Sequence, residues 1–77
     1  MPQVVIFHAR SDDLLAASSS RLARLGPPQL GFPLSSADGV GILLLITRYH
    51  ADAGALEWLS ANGTIEVFES GDERLHH

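Results

Sequence analysis

Two histidines occupy matching surroundings in this 77-residue chain, and they are its main candidates for chemistry. Phe7-His8-Ala9 returns as Tyr49-His50-Ala51, and at the same offset Leu14 is repeated by Leu56 and Ser18 by Ser60. Arg10, Ser11, Asp12 and Asp13 flank the first histidine, Arg48 and Asp52 flank the second, and Glu66 joins them if the last strand returns beside the first. Four uses of this set compete. In the plainest, the histidines are strand-end residues with one edge in solvent, and Glu66 and Arg48 form a polar rim around a subunit contact, since exposed ion pairs are common and contribute little. In the second, His8, Arg10, Ser11, Asp12, Arg48 and His50 bind an anionic small molecule, such as one carrying a carboxylate. Two helix N-termini are expected to converge there, with free N–H groups that favour an anion, and Arg48 supplies a forked partner. In the third, His8, His50, Asp52 and Glu66 hold a divalent transition metal: zinc, nickel or copper(II). No HxH or HxxxH spacing is present, so such ligands have to be gathered from separate elements. In the fourth, His8 and Glu66 form a pair for proton transfer.

No residue is assigned a catalytic role. There is no nucleophile–base pair, glycine-rich phosphate loop or paired-carboxylate motif, and Ser18-Ser19-Ser20 falls inside a helix as a packing or solvent-facing run. Trp58, between Leu56 and Leu59, reads as a core or interface anchor whose indole N–H needs a partner if buried.

Composition narrows the partners. The formal charge is −4 with five Lys+Arg, all of them scattered arginines, whereas a phosphate-binding surface needs a clustered basic patch. Nucleic acid is therefore excluded as an expected partner. Without cysteine, disulfides and thiolate metal sites are ruled out. The longest apolar core, residues 42–46, is far short of a membrane span, and the N-terminus lacks a signal-peptide pattern. A cytoplasmic protein with no membrane contact and no obligatory cofactor is expected. A chain this short has one modest core, and its 45% apolar content points to self-association as the aid to stability.

The elements that must position these residues follow from periodicity. Residues 4–7 form a short β-branched run suited to a strand buried on both faces. Ser11-Asp12-Asp13 supplies capping oxygens and negative charge for a helix over residues 12–25, whose stripe is Leu15, Ser18, Leu22 and Leu25. Arg21 and Arg24 lie near its C-terminus, and Gly26 with Pro27-Pro28 stops it. Leu30, Phe32 and Leu34 alternate with Gly31 and Pro33, which marks an edge strand because proline cannot donate to a ladder. Asp38-Gly39 is a turn signal, and residues 40–49 suit a central strand. Asp52 caps a second helix that Asn62-Gly63 closes in a left-handed turn, and residues 64–68 form the last strand. The domain is expected over residues 1–70, with residues 71–77 a frayed tail whose His76 and His77 carry no functional weight.

The order β-α-β-β-α-β predicts an α+β, ferredoxin-like sandwich: a four-stranded antiparallel sheet with two helices on one face. The first and third strands are expected side by side at its centre and running parallel, which sets His8 and His50 at the same edge. Alternation extended back from Arg48, which is costly to bury unpaired, places Val5, Phe7, Leu43, Leu45 and Tyr49 toward the helices. Val4, Ile6, Ile42, Leu44 and Ile46 then form an open apolar face, too apolar for a lone domain, that a homodimer covers.

Over residues 4–68 the chain resembles the ACT family of amino-acid-sensing regulatory domains. It shares their element order, length and pairing of copies, and Gly26 matches the glycine that often ends their first helix. The resemblance implies an effector site at the first strand-to-helix corner, residues 9–13, where that family often carries Pro-Gly and this chain has Asp12-Asp13. The expected function is a small non-catalytic ligand-binding or regulatory module acting as a dimer. A metal-binding protein using His8 and His50 is the alternative, and a small dimeric α+β barrel enzyme the third.

Overall fold

The apolar and capping patterns resolve into six elements in the computed structural model, which describes residues 2–37 and 39–69; Asp38 and the expected tail with His76 and His77 lie outside the described residues. In chain order they are β1 (Gln3–Ala9), α1 (Asp12–Ala23), β2 (Pro28–Ser36), β3 (Gly39–Ile46), α2 (Ala53–Asn62) and β4 (Gly63–Glu69). Ser11 caps α1, its Oγ accepting from the Leu14 amide at 3.2 Å, and Asp12 and Asp13 complement the positive end of the helix. Gly26 follows with φ +130°, and an added Cβ there would lie 2.5 Å from the Arg48 carbonyl oxygen and 2.7 Å from Ile46 Cγ2. Only glycine fits so close an approach in that conformation. The buried Leu25 beside it accepts from the His50 amide at 2.8 Å, which ties the exit of α1 to the segment after β3.

The four strands form one sheet in the order β2-β3-β1-β4, every neighbouring pair antiparallel. The order and the edge position of the proline-bearing β2 agree with the sequence. The direction of the central pair does not: β1 and β3 run antiparallel, with Gln3 opposite Ile46 and Ala9 opposite Val40. The cause is connectivity. The α1 crossover returns the chain so that β2 runs with β1, and the short hairpin from Ser36 to Gly39 then reverses it.

One core joins Val5, Phe7, Ala9, Leu44 and Ile46 from the sheet to Leu22 and Leu25 of the first helical segment and Ala55 and Leu59 of α2. The expectation for β1 holds, but the phase of β3 is reversed. Leu44 and Ile46 are in this core and Ile42 packs against it, so these three do not belong to the open face. The strand ends at Ile46 and Thr47-Arg48 is a turn, so the exposure of Arg48 says nothing about which way Ile46 points. Buried Ser18 is satisfied, its hydroxyl donating to the Leu15 carbonyl at 2.6 Å. At the end of α2, Gly63 is extended (φ 176°), not left-handed, and Asn62 Nδ2 donates to the Trp58 carbonyl at 2.9 Å.

Candidate functional site

Antiparallel pairing separates the two histidines. His8 lies opposite Gly41 on one side and Thr64 on the other, at the end where β1 finishes. His50 follows the far end of β3, which finishes beside the start of β1. From Gly41 to Ile46 the strand alone advances about 17 Å. The expected metal set is thereby divided: His8 and Glu66 share one sheet face, while His50 and Asp52 lie at the opposite end. Among the described residues no group of three or more histidine or acidic side chains is placed to hold a metal ion.

The expected anion site divides in the same way. His8, Arg10, Ser11 and Asp12 are at the β1–α1 corner, whereas Arg48 and His50 are at the other end of the sheet. The helix N-termini do not converge, because α1 starts where β1 ends and α2 starts where β3 ends, and those ends are opposite.

The corner at α2 is occupied with holding the fold. Asp52 Oδ1 accepts from the Ala55 amide at 2.9 Å, and Oδ2 accepts from Arg24 Nε at 3.1 Å. The Ala55 amide, with the Arg24 guanidinium adding to it against a desolvation that works the other way, holds the Asp52 carboxyl below the ordinary carboxylate range. Nearby, the Arg21 guanidinium lies 4.5 Å from the Trp58 ring centroid, a cation–π contact from α1 to α2. That contact was missed because arginine and tryptophan far apart in sequence carry no spacing signal. An apolar cavity of about 200 Å³ is lined by Ser19, Leu22, Ala23, Pro28, Ile42 and Leu44. Neither histidine lines it, and it is smaller than the roughly 300–1,000 Å³ usual for small-molecule sites.

The side of the sheet away from the helices is the larger feature. Register arranges it in three rows across β4, β1, β3 and β2: Thr64, His8, Gly41, Leu34; then Glu66, Ile6, Leu43, Phe32; then Phe68, Val4, Leu45, Leu30. Val4 and Ile6 were expected here, and Leu43 and Leu45 take the places given to their neighbours. Leu30 and Phe32 are each 52% exposed. The polar positions gather at one corner, and there an added Cβ on Gly41 would lie 2.7 Å from His8 Cδ2 and 2.5 Å from the Phe7 carbonyl oxygen. The imidazole thus lies across the glycine. Leu30, Phe32 and Leu34 were legible in the sequence as one alternating run, but the side they face depended on the register with β3.

In comparisons with known protein families, with curated proteins and with solved structures, nothing matches this chain, so the reading of its function rests on the face and the corners just described.

Proposed function

We propose that this chain is a small non-catalytic module that works as a homodimer, paired through the open face of its sheet. The observation that carries the reading is the exposure of Leu30 and Phe32, 52% each, beside the half-buried Ile6, Leu43 and Leu45 on the side of the sheet away from the helices, where Val4 and Phe68 are already buried. A contiguous apolar surface of this kind marks an interaction site. Burying it returns about 25 cal/mol for each Å² of apolar area removed from water, which matters most in a chain with a single small core. The strand order β2-β3-β1-β4 supports the finer ferredoxin-like reading. The ACT-like resemblance, with its pairing of copies, supports a regulatory role, with any effector at the corner of His8, Arg10, Ser11 and Asp12. Neither the metal nor the enzyme reading gains from the separation of His8 and His50.

Sedimentation at micromolar to high micromolar concentration tests it. The expected result is a monomer–dimer equilibrium, with Phe32→Glu raising the dissociation constant at least about thirtyfold, as for an aromatic interface anchor. Phe32 is exposed on an edge strand, so circular dichroism of the variant is expected to stay α+β. A monodisperse monomer of the unaltered chain at high micromolar concentration overturns the proposal.

A further inference from the structure

We infer that the apolar cavity between α1 and the β2–β3 pair is a binding site for one small uncharged, hydrocarbon-like molecule about a single ring in size. It lies on the helix side of the sheet, apart from both histidines and from the face assigned to a second copy, so it stands or falls independently of the dimer.

The walls follow from local patterns. Ser19, Leu22 and Ala23 are three and four residues apart on α1 and share one side of the helix. Ile42 and Leu44 are two apart on β3 and share the face turned toward that helix. Pro28 closes one end, where β2 begins. On the β2 side the wall is low, because Gly31 stands opposite Leu44. A Cβ at Gly31 would meet Leu44 Cδ2 at 3.2 Å and Ile42 Cδ1 at 3.9 Å, so a larger residue there would stand over the same floor. Leu22 and Leu44 are buried at the bottom, whereas Ser19, Ala23 and Pro28 are exposed at the rim and leave a mouth to solvent.

The chemistry of the lining decides the occupant. Among the described residues none that lines the cavity is charged, and the hydroxyl of Ser19 already donates to the Ala16 carbonyl at 3.1 Å. Water entering finds few partners, and an empty space forfeits the dispersion contacts of its walls. A carboxylate, an amine or an amide would be stripped of water with nothing to replace it. An apolar molecule loses nothing of that kind and covers branched aliphatic surface. The edge of β2 offers little to a peptide strand instead, since Pro28 and Pro33 carry no N–H. Size sets the limit. An apolar cavity of about 150 Å³ takes benzene, and this one, at about 200 Å³, has room for a single ring bearing a short alkyl group. A molecule of drug size needs the larger volume of an ordinary ligand pocket.

Toluene is the probe, followed by methyl NMR of the unaltered chain. Its ring current is expected to shift the methyl signals of Leu22, Ile42 and Leu44 in a saturable way, and to leave those of Leu30, Leu43 and Leu45 across the sheet in place. Benzoate, the same ring with a carboxylate in place of the methyl group, is expected to shift none of them at the same concentration. Ala23→Leu fills the mouth from α1, at an exposed site that suits a good helix former. Gly31→Val fills it from β2, at an exposed position of an edge strand that suits a branched residue. Each is expected to weaken toluene binding at least about tenfold, as a change of one or two carbons in an apolar pocket does, while circular dichroism stays α+β. The site is overturned by the absence of a saturable shift at Ile42 and Leu44, by equal shifts from benzoate, or by unchanged binding in the two folded variants. A monomeric chain that still binds toluene removes the dimer and leaves the site standing.

Discussion

Both carboxylate oxygens of Asp52 are engaged, one by the Ala55 amide and the other by Arg24. A side chain that the sequence offered equally as a helix cap and as a metal ligand is therefore spent on the cap. Its carboxyl is held below the ordinary range, so the stability it contributes is fully present above the unfolded value near 3.8. That contribution is lost as pH falls through the lowered folded value. Asp52→Ala is expected to lower the thermal midpoint by several degrees at neutral pH, whereas Asp52→Asn, a good cap without charge, loses less. An acid titration of stability separates the two effects: below about pH 4 the unaltered chain and Asp52→Asn are expected to draw together. If their difference were the same at pH 7 and at pH 2, the carboxylate would not be acting through its charge.

Glycines at the element boundaries divide by what surrounds them, and this gives opposite signs for the same substitution. A Cβ on Gly63 would collide with the His8 carbonyl oxygen across the β1–β4 pair, so Gly63→Ala must push two strands apart. It is expected to cost about 1–3 kcal/mol in urea unfolding, as other forced overpacking does. On Gly54, in the first turn of α2, the nearest atom to a Cβ is Asp52 Oδ1 at 3.6 Å, an ordinary contact. Gly54→Ala is expected to stabilise by about 0.5–1 kcal/mol. Equal effects of the two substitutions would contradict the close approach at Gly63. The elements themselves were legible because each has a local signature: Ser11 and Asp52 as caps, Gly26 before two prolines, Pro33 on an edge. What was not legible is non-local. The direction of β3 relative to β1 follows from a crossover and a hairpin taken together. Its phase was read from Arg48, beyond the point where the strand stops. Both errors passed to the site, since the side-by-side histidines and the choice of Ile42, Leu44 and Ile46 for the open face each depended on one of them.

At the scale of the molecule, the sheet has two apolar faces, and the two helices among the described residues cover one of them. The helices take the face of Val5, Phe7, Leu44 and Ile46, and the opposite face carries Leu30 and Phe32 into solvent. A small domain gains proportionally more from covering such a face than a large one, because so little of its own surface is buried on folding. If the folded chain and its dimer are coupled, mass action makes the thermal midpoint depend on protein concentration. For two chains unfolding together, an entropy of about 2.1 cal/mol/K per residue predicts a rise of up to about 5 °C for each tenfold increase in concentration. Phe32→Glu is expected to flatten that slope, because the charge leaves the fold intact and removes the pairing that responds to concentration. Gly63→Ala is expected to lower the midpoint and keep the slope, because it strains each chain without touching the face. A midpoint independent of concentration in the unaltered chain, measured over two decades, would mean that the open face is covered by something other than a second copy.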